Sequence, residues 1–444
     1  MADDENPEIA AALAELAGED PSAARDAEAA VEWITGGQGL ALITQERLQT
    51  FLWYGLPMKW MIDLDGQLAV TVALARALDL LGLPSYAAIC RSETTRAILS
   101  AYAASTEDGK SAFRRASAAS GIQPGDLPEF EWGTMMGFQE ASALSSTADF
   151  LELAVASGDL VPGARGWKTR QQELVRTHLN TPRAELVGQT LGQLILTERA
   201  ETWISIRRSE TRRKILAAVA NRLLHPAELP PEAAADPLPR LRWLLHQLDG
   251  GIALTQTGNL NRRFVQAAAD RFGWKFPGQP RTEDDLFDLY QLRHLAQGLR
   301  LARRRGRELA LTAKGRRLLA DPDRLWRAAA SGLLGGSDFS VFAGELVLAL
   351  LLDTDSMPYD EIKAVVGQAA GEEGFREART GELPTDHEVG WAISDTTNLC
   401  RALAVLSAGG DWNDRSYGLT KTGKVAALEA LRARATGPRT IPTT

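Results

Sequence analysis

The stretch that decides the fold is Leu299–Leu319, with the sequence LRLARRRGRELALTAKGRRLL. It predicts two short strands, Leu299–Ala302 and Leu309–Leu311, joined by a tight arginine-rich tip. A helix is predicted to begin directly afterwards at Thr312, because threonine is a preferred residue at a helix N-cap. We therefore expect a β-hairpin that leads at once into a helix.

The residues around this hairpin predict a repeated unit. Residues 238–331 are predicted to form, in this order, a helix, a strand, two helices, a strand, a tip, a strand and a helix. Residues 338–436 are predicted to form the same elements in the same order, with weaker sequence agreement. YGLTKTGKVAAL (Tyr417–Leu428) parallels ELALTAKGRRLL (Glu308–Leu319). The shared LT-x-x-G-[RK] predicts a capping threonine at the start of the closing helix and a glycine where that helix passes close to its neighbours.

This arrangement resembles the winged-helix superfamily, and residues 250–330 are similar to uncharacterised multi-winged-helix proteins of actinobacteria. The fold class predicted from the resemblance is mainly α with short β-hairpins, the wings, in tandem winged-helix modules. The resemblance also implies DNA binding, but no reaction. It covers about 200 residues well, and the first 225 residues follow the pattern less clearly.

The first half of the chain contains an internal duplication. Ile89–Ala103, ICRSETTRAILSAYA, and Ile206–Ala220, IRRSETRRKILAAVA, match at most positions, and Ser92 and Ser209 are predicted N-caps. Residues 21–224 are therefore interpreted as a helical, degenerate winged-helix-like region, with short β-type stretches at Leu40–Ile43 and Leu160–Trp167. The remaining segments are a flexible acidic arm (1–20), a proline-rich linker (225–237) and a tail (437–444).

Charge is unevenly distributed along the chain. The formal net charge is -8, which argues against indiscriminate binding to nucleic acid or anionic lipid. Residues 236–322, however, contain 16 Lys and Arg against 9 Asp and Glu, a local net charge of +7. No run reaches the length of a membrane helix and no secretory signal is recognised, so we expect a cytoplasmic protein without a membrane partner.

Two sets of basic side chains are predicted to contact DNA. The wing set would contact phosphates or a narrow minor groove, and consists of Arg303, Arg304, Arg305, Arg307, Arg262, Arg263, Lys314 and Arg316. The second set lies at a helix start, where cations oppose the helix dipole and an anionic ligand is favoured, and consists of Arg207, Arg208, Arg212 and Arg213. A solvated surface, an acidic protein partner or local pairing with Glu201 and Glu210 are the alternatives.

Aromatic and acidic residues refine this prediction. Trp412, in the polar segment GGDWNDRS of the second wing, could stack on a base or insert into a partner. The other ten tryptophans are interpreted as packing residues. Asp284, Asp285 and Asp288 lie in the third helix of the first module, which usually enters the major groove, and they would repel phosphates. This helix is therefore a poor candidate for reading bases.

No catalytic constellation is recognisable, so the sequence favours a protein that is not an enzyme and predicts neither a cofactor nor a metal. The five histidines are scattered, and Cys90 and Cys400 have no metal-ligand spacing. The main hypothesis is a regulatory protein that contacts duplex DNA through basic wings, with a homodimer possible. The alternatives are a winged-helix scaffold for protein partners, and a ligand-binding or DNA-repair protein with a pocket between modules.

Overall fold

The computed structural model describes residues 6–231, 233–377, 379–409 and 415–440. The chain divides into an N-terminal unit, residues 1–195 together with 440–444, and a C-terminal unit, residues 196–439. Both are mainly helical, and short antiparallel strand pairs occur in the C-terminal unit. The predicted fold class, mainly α with short hairpins, is confirmed.

The N-terminal unit is built from helices that bury alanine- and leucine-rich faces. Its helices are α1 (Pro7–Glu19), α2 (Pro21–Thr35), α3 (Gln45–Thr50), α4 (Leu56–Lys59), α5 (Leu64–Leu80), α6 (Pro84–Cys90), α7 (Glu93–Ala104), α8 (Thr106–Ser120), α9 (Phe138–Ala156) and α10 (Trp167–Asn180). A π-helical turn, Phe51–Gly55, joins α3 to α4. Helix α11 (Leu191–Ser205) contains the boundary between the units.

Residues 7–19 of the predicted flexible acidic arm form a packed helix, which corrects the prediction for this part of the arm. Residues 7–19 form α1, in which Ala12 and Leu16 are buried. Leu16 packs in one cluster with Ala27 of α2 and Ala77 of α5. The acidic residues suggested a solvated segment, but the helical spacing of the small apolar residues provides a face that packs.

The β-type stretches predicted in the first half are not strands. Leu40–Leu42 forms a 3-10 turn, in which the Ile43 amide donates to the Leu40 carbonyl at 2.9 Å. Residues 160–167 form turns in the same local way, and the described residues of the N-terminal unit hold a single isolated bridge, Leu127–Phe130. Neither stretch pairs with a second strand, so the described part of the N-terminal unit has no wing.

The duplicated segments form the turns that lead into α7 and α12 (Glu210–Leu223), and each turn follows a helix, α6 or α11. Ser92 accepts a hydrogen bond from the Thr95 amide and Ser209 from the Arg212 amide, each at 3.1 Å, so both predicted N-caps are confirmed. The two copies pack in different surroundings: α7 contacts α5, whereas α12 contacts helices of the second module described below.

The first module of the C-terminal unit has the predicted order of elements. It consists of α13 (Pro239–Asp249), β1 (Ile252–Ala253), α14 (Arg262–Phe272), α15 (Phe287–Gly298), β2 (Ala302–Arg305), β3 (Glu308–Leu311), α16 (Ala313–Leu319) and α17 (Pro322–Ser331). The three strands form an antiparallel sheet in the order β1-β3-β2. Strand β3 is therefore the central strand of the sheet, and β2, which carries Arg303, Arg304 and Arg305, is an edge strand.

The second module repeats this topology. It consists of α18 (Asp338–Leu352), β4 (Met357–Pro358), α19 (Tyr359–Glu373), α20 (Asp386–Ala402), β5 (Leu406–Gly409), β6 (Ser416–Leu419) and α21 (Lys421–Thr436), with the sheet order β4-β6-β5. One continuous hydrophobic core includes residues of both modules and of α12. The proline-rich segment before α13 has neither helix nor strand where it is described, and its Ala227 amide donates to Glu429 of α21.

The LT-x-x-G motif has the same role in both modules. Thr312 and Thr420 cap α16 and α21 by accepting from the Gly315 and Gly423 amides, each at 2.9 Å. A Cβ atom at Gly315 would lie 2.3 Å from the Leu301 carbonyl oxygen, and one at Gly423 would lie 1.9 Å from that of Val405. Glycine is required at both positions because each closing helix passes directly over backbone.

Candidate nucleic-acid interface

The basic wing is the hairpin formed by β2 and β3. Arg303 pairs with Ala310 and Arg305 with Glu308, so Gly306 and Arg307 form a two-residue turn. Gly306 has a φ of +60°, which favours glycine. Buried Ala302, Leu309 and Leu311 anchor the strands to the core. The arginines are exposed beyond this anchor: Arg303, Arg304, Arg305 and Arg307.

These four guanidinium groups are free of carboxylate partners. Among the described residues none forms an ion pair, and the Arg304 Nε donates to the Gly306 carbonyl oxygen at 2.8 Å. Glu308 is the one acidic residue of the hairpin, and its carboxylate leans over Gly251, where a Cβ would lie 1.8 Å from Oε1. The wing therefore presents uncompensated positive charge to solvent.

The start of α14 extends this basic surface. Arg262 and Arg263 are exposed and pair with no carboxylate in the described part of the chain. The Asn261 side chain caps the helix and also donates from Nδ2 to the Ala253 carbonyl of β1 at 2.9 Å. The turn before α14 reaches the wing, because a Cβ at Gly258 would lie 2.9 Å from Nη1 of Arg304. The helix start and the wing are therefore neighbours.

Two members of the wing set have other partners. The Lys314 Nζ donates to the Leu299 carbonyl oxygen at 3.0 Å, and the Arg316 Nε lies 2.8 Å from Asp249 Oδ1. Both side chains stay exposed, but the charge of Arg316 is compensated. Arg300 was absent from the predicted set although it lies two residues before β2; it is exposed and has no ion pair within the described ranges.

The second predicted set is largely internal, which corrects the prediction for Arg207 and Arg212. Arg212 is 1% exposed, and its Nε and Nη2 lie 3.0 and 2.8 Å from Glu345 Oε2. Arg207 pairs with Asp338 and with Glu373. The acidic partners belong to α18 and α19, so they lie far from the arginines in sequence.

The remaining two arginines of that set, Arg208 and Arg213, are exposed. Arg213 lies 3.1 Å from Glu210, one helical turn earlier, which is the local pairing considered as an alternative. The Glu372 carboxylate also binds the start of α12. It accepts hydrogen bonds from the Thr211 amide and from the Ser209 hydroxyl. The place predicted for an anionic ligand at this helix start is therefore taken by a carboxylate of the chain itself, that of Glu372.

The buried Arg212–Glu345 pair is satisfied on all sides. Nη1 of Arg212 donates to the Trp203 and Ile204 carbonyls at 3.2 Å each, and the guanidinium lies 5.0 Å from the Trp203 ring. Glu345 also accepts from Trp203 Nε1 at 3.3 Å and lies 3.5 Å from Arg434. Burial lowers the pKa of Arg212 and the Glu345 carboxylate opposes that shift. This network attaches α12 to the second module.

The third helices of the two modules, α15 and α20, pack against each other. Asp288 near the start of α15 lies 3.0 Å from Arg401 Nε near the end of α20. Arg240 of α13 lies 4.0 Å from Asp288 and donates to the Arg401 and Ala402 carbonyls at 2.9 and 3.2 Å. Helix α15 is thus committed to an internal contact, and Asp288 is its one acidic residue, because Asp284 and Asp285, which were predicted in this helix, lie in a separate 3-10 turn, Glu283–Asp285, before it.

Trp412, the predicted stacking residue of the second wing, lies outside the residues that the structure describes. No group of three His, Cys, Asp or Glu side chains that could hold a metal ion occurs within the described ranges. Nor do these ranges contain a helix with the length and apolar character needed to cross a membrane. Cys90 and Cys400 are free, buried thiols, and burial raises the pKa of each to about 12.

Comparison with known proteins finds similarity in the first module. A family model described as the Y4jL N-terminal domain matches residues 240–324, from the start of α13 to the start of α17. An uncharacterized protein of Sinorhizobium fredii, y4jL, is 36% identical over 100 residues, which cover 20% of this chain and 44% of that protein. The chain therefore spans less than half the length of that relative. No solved structure matches the chain. The segment that is similar to the family model is the module that contains the basic wing.

Proposed function

We propose that the protein binds duplex DNA through the basic wing and the adjacent start of α14. The observation that supports this proposal is the set of exposed arginines without carboxylate partners at Arg303, Arg305, Arg307, Arg262 and Arg263. Exposed guanidinium groups without a carboxylate partner bind phosphates readily. Each phosphate that they neutralise releases condensed counterions from the duplex. A DNA-binding protein with a regulatory role is the function that we infer.

The proposed interaction is with the DNA backbone or the minor groove. Helix α15 contributes acid at its start and packs against α20, so reading of bases in the major groove is not expected from it. Phosphate contacts position a protein on DNA but carry no sequence information. We therefore expect affinity that depends strongly on salt and only weakly on base sequence.

Binding of the full chain to a fluorescent 30-base-pair duplex, titrated with salt, tests the proposal. Replacing Arg303, Arg305 and Arg307 with Ala should weaken binding and reduce the slope of log affinity against log salt by about 0.9 for each phosphate that is no longer neutralised. The control replaces Arg96, Arg114 and Arg115, exposed arginines of the N-terminal unit, with Ala. It changes the net charge equally.

The outcome is decided by the difference between the two variants. Loss of binding in the wing variant alone supports the proposal. Absence of duplex binding by the unmodified chain at low salt, or an equal effect of both variants, overturns it. Two duplexes of unrelated sequence should give affinities within a few-fold of each other.

A further inference from the structure

A cleft lies between the two modules of the C-terminal unit. It has a volume of about 660 Å³ and is formed by the starts of α15 and α18 and by the exposed side of α20. Its walls include Phe287, Phe339, Trp391, Glu388, Asp395 and Asn398. We refer to it as the α15–α20 cleft.

The apolar part of the cleft consists of aromatic rings that face solvent. Trp391 is 65% exposed and Phe287 is 43% exposed. The His387 ring lies 4.3 Å from that of Trp391, and the Tyr290 ring is stacked on Phe287 at 5.8 Å. Indole and phenyl rings exposed together on a concave surface are typical of a binding site, because their burial on complex formation is favourable.

The polar part of the cleft is negative. Glu388 and Asp395 line it, and no lysine or arginine is among the described residues that form its walls. Hydrogen bonds from Thr385 lower the pKa of the Glu388 carboxyl, which keeps it ionised. Asp395 accepts from the Ser340 hydroxyl through Oδ2 at 2.6 Å, and its other oxygen has no hydrogen-bond partner among the described residues. These charges repel phosphates and attract cations.

We propose that the α15–α20 cleft binds an arginine- or lysine-bearing peptide segment of a partner protein. The cationic side chain lies over the Trp391 indole, whose ring face attracts positive charge. Its N–H groups donate to Asp395 and Glu388, and Asn398 and Ser337 are placed to bond the peptide backbone. Electrostatic attraction and aromatic burial then act on the same side chain.

A partner protein fits this cleft better than a second copy of the chain does. The chain carries a suitable basic segment in its own wing, Arg303–Arg307. A wing inserted into the cleft of another copy, however, would join two different surfaces, and such an association continues from copy to copy as a ring or an open filament. The occupant is therefore a separate protein.

The test measures binding of the full chain to a fluorescent peptide of alternating glycine and arginine, with a citrulline peptide as the uncharged match. An acidic chain attracts any basic peptide weakly, so the deciding variant is Trp391→Ala, which leaves the charge unchanged. We expect the arginine peptide alone to bind, and Trp391→Ala and Asp395→Asn each to weaken binding about fivefold or more. Trp391→Phe should retain part of the affinity.

The matched control is Trp33→Ala, which removes an indole that is 52% exposed in the N-terminal unit and should leave peptide affinity unchanged. Equal binding of both peptides, no binding, or no effect of Trp391→Ala at an unchanged unfolding midpoint overturns the proposal. Sedimentation of the chain alone identifies the other occupant: self-association that is abolished both in Trp391→Ala and in the wing variant would assign the cleft to a second copy and reject a separate partner.

Discussion

Asp288 and Arg401 join the third helices of the two modules, with 3.0 Å between the carboxylate and the guanidinium. The carboxylate is 17% exposed, and Arg240 approaches it from a third helix. In an isolated module the corresponding helix face would be open to solvent or DNA. Here it forms part of the interface between the modules, and the acid that argued against base reading has a structural role.

Replacing Asp288 with Ala should lower the free energy of unfolding of the C-terminal unit by about 1–2 kcal/mol, because Arg401 and Arg240 would lose a partly desolvated partner. The matched control is Asp284→Ala, which removes an exposed carboxylate with no ion pair in the described part of the chain. Urea unfolding followed by tryptophan fluorescence measures both. Equal effects of the two variants would contradict the structural role of Asp288.

Arg212→Met should be among the most destabilising single changes. It leaves Glu345 buried without its main counterion, a loss of about 3–5 kcal/mol. Arg213→Met, at the next position, removes an exposed pair with Glu210 and should cost at most about 0.5 kcal/mol. If denaturant unfolding gave similar values for both, the buried pair would be unimportant for stability.

Gly315→Ala and Gly423→Ala test the close approach of each closing helix. The added methyl would overlap a carbonyl oxygen in both modules, so we expect losses of about 2 kcal/mol or more. Gly367→Ala is the control within α19, because a Cβ there meets nothing within 4 Å. That change should stabilise the chain by about 0.5–1 kcal/mol, since alanine is the better helix former. A thermal melt of each variant gives the comparison.

Glu372 should contribute to the acid sensitivity of the C-terminal unit. Hydrogen bonds from the Thr211 amide, Gln368 and the Thr211 hydroxyl lower its pKa from 4.5 to about 2. A depressed folded-state pKa adds stability above the unfolded value, and this contribution disappears as pH falls from 4.5 towards 2. Glu372→Gln should therefore make unfolding less dependent on pH in this interval. An unchanged pH profile would show that the carboxylate is not held in this way.

Local sequence patterns predicted the C-terminal unit well. Thr312 and Gly315 recur as Thr420 and Gly423, and capping and close packing are properties of a few adjacent residues. The hairpin was predicted correctly, but its first strand is Ala302–Arg305 and not Leu299–Ala302, so only Gly306 and Arg307 of the predicted arginine-rich tip form the turn. These features depend on short-range geometry, which a sequence displays directly.

Long-range relationships were not predictable in the same way. The burial of Arg212 depends on its ion pair with Glu345, which is 133 residues away in the sequence. The residues Leu40–Leu42 look suitable for a strand, but strand formation requires a partner that the N-terminal unit does not provide. In the sequence, the aromatic cleft corresponds only to His387 and Trp391, which are one helical turn apart. Its other wall is formed by residues at the starts of α15 and α18, which are distant in the sequence.

The buried pair of Arg212 and Glu345 also bears on how a duplicated chain avoids misassembly. The position that holds Arg212 in the second copy holds Thr95 in the first, where its hydroxyl accepts from the Trp53 indole at 2.9 Å. A copy with threonine at this position could not neutralise Glu345, and a copy with arginine would place an unmatched charge beside Trp53. The different side chains at this one equivalent position would therefore make exchange of the two similar helices between the units unfavourable.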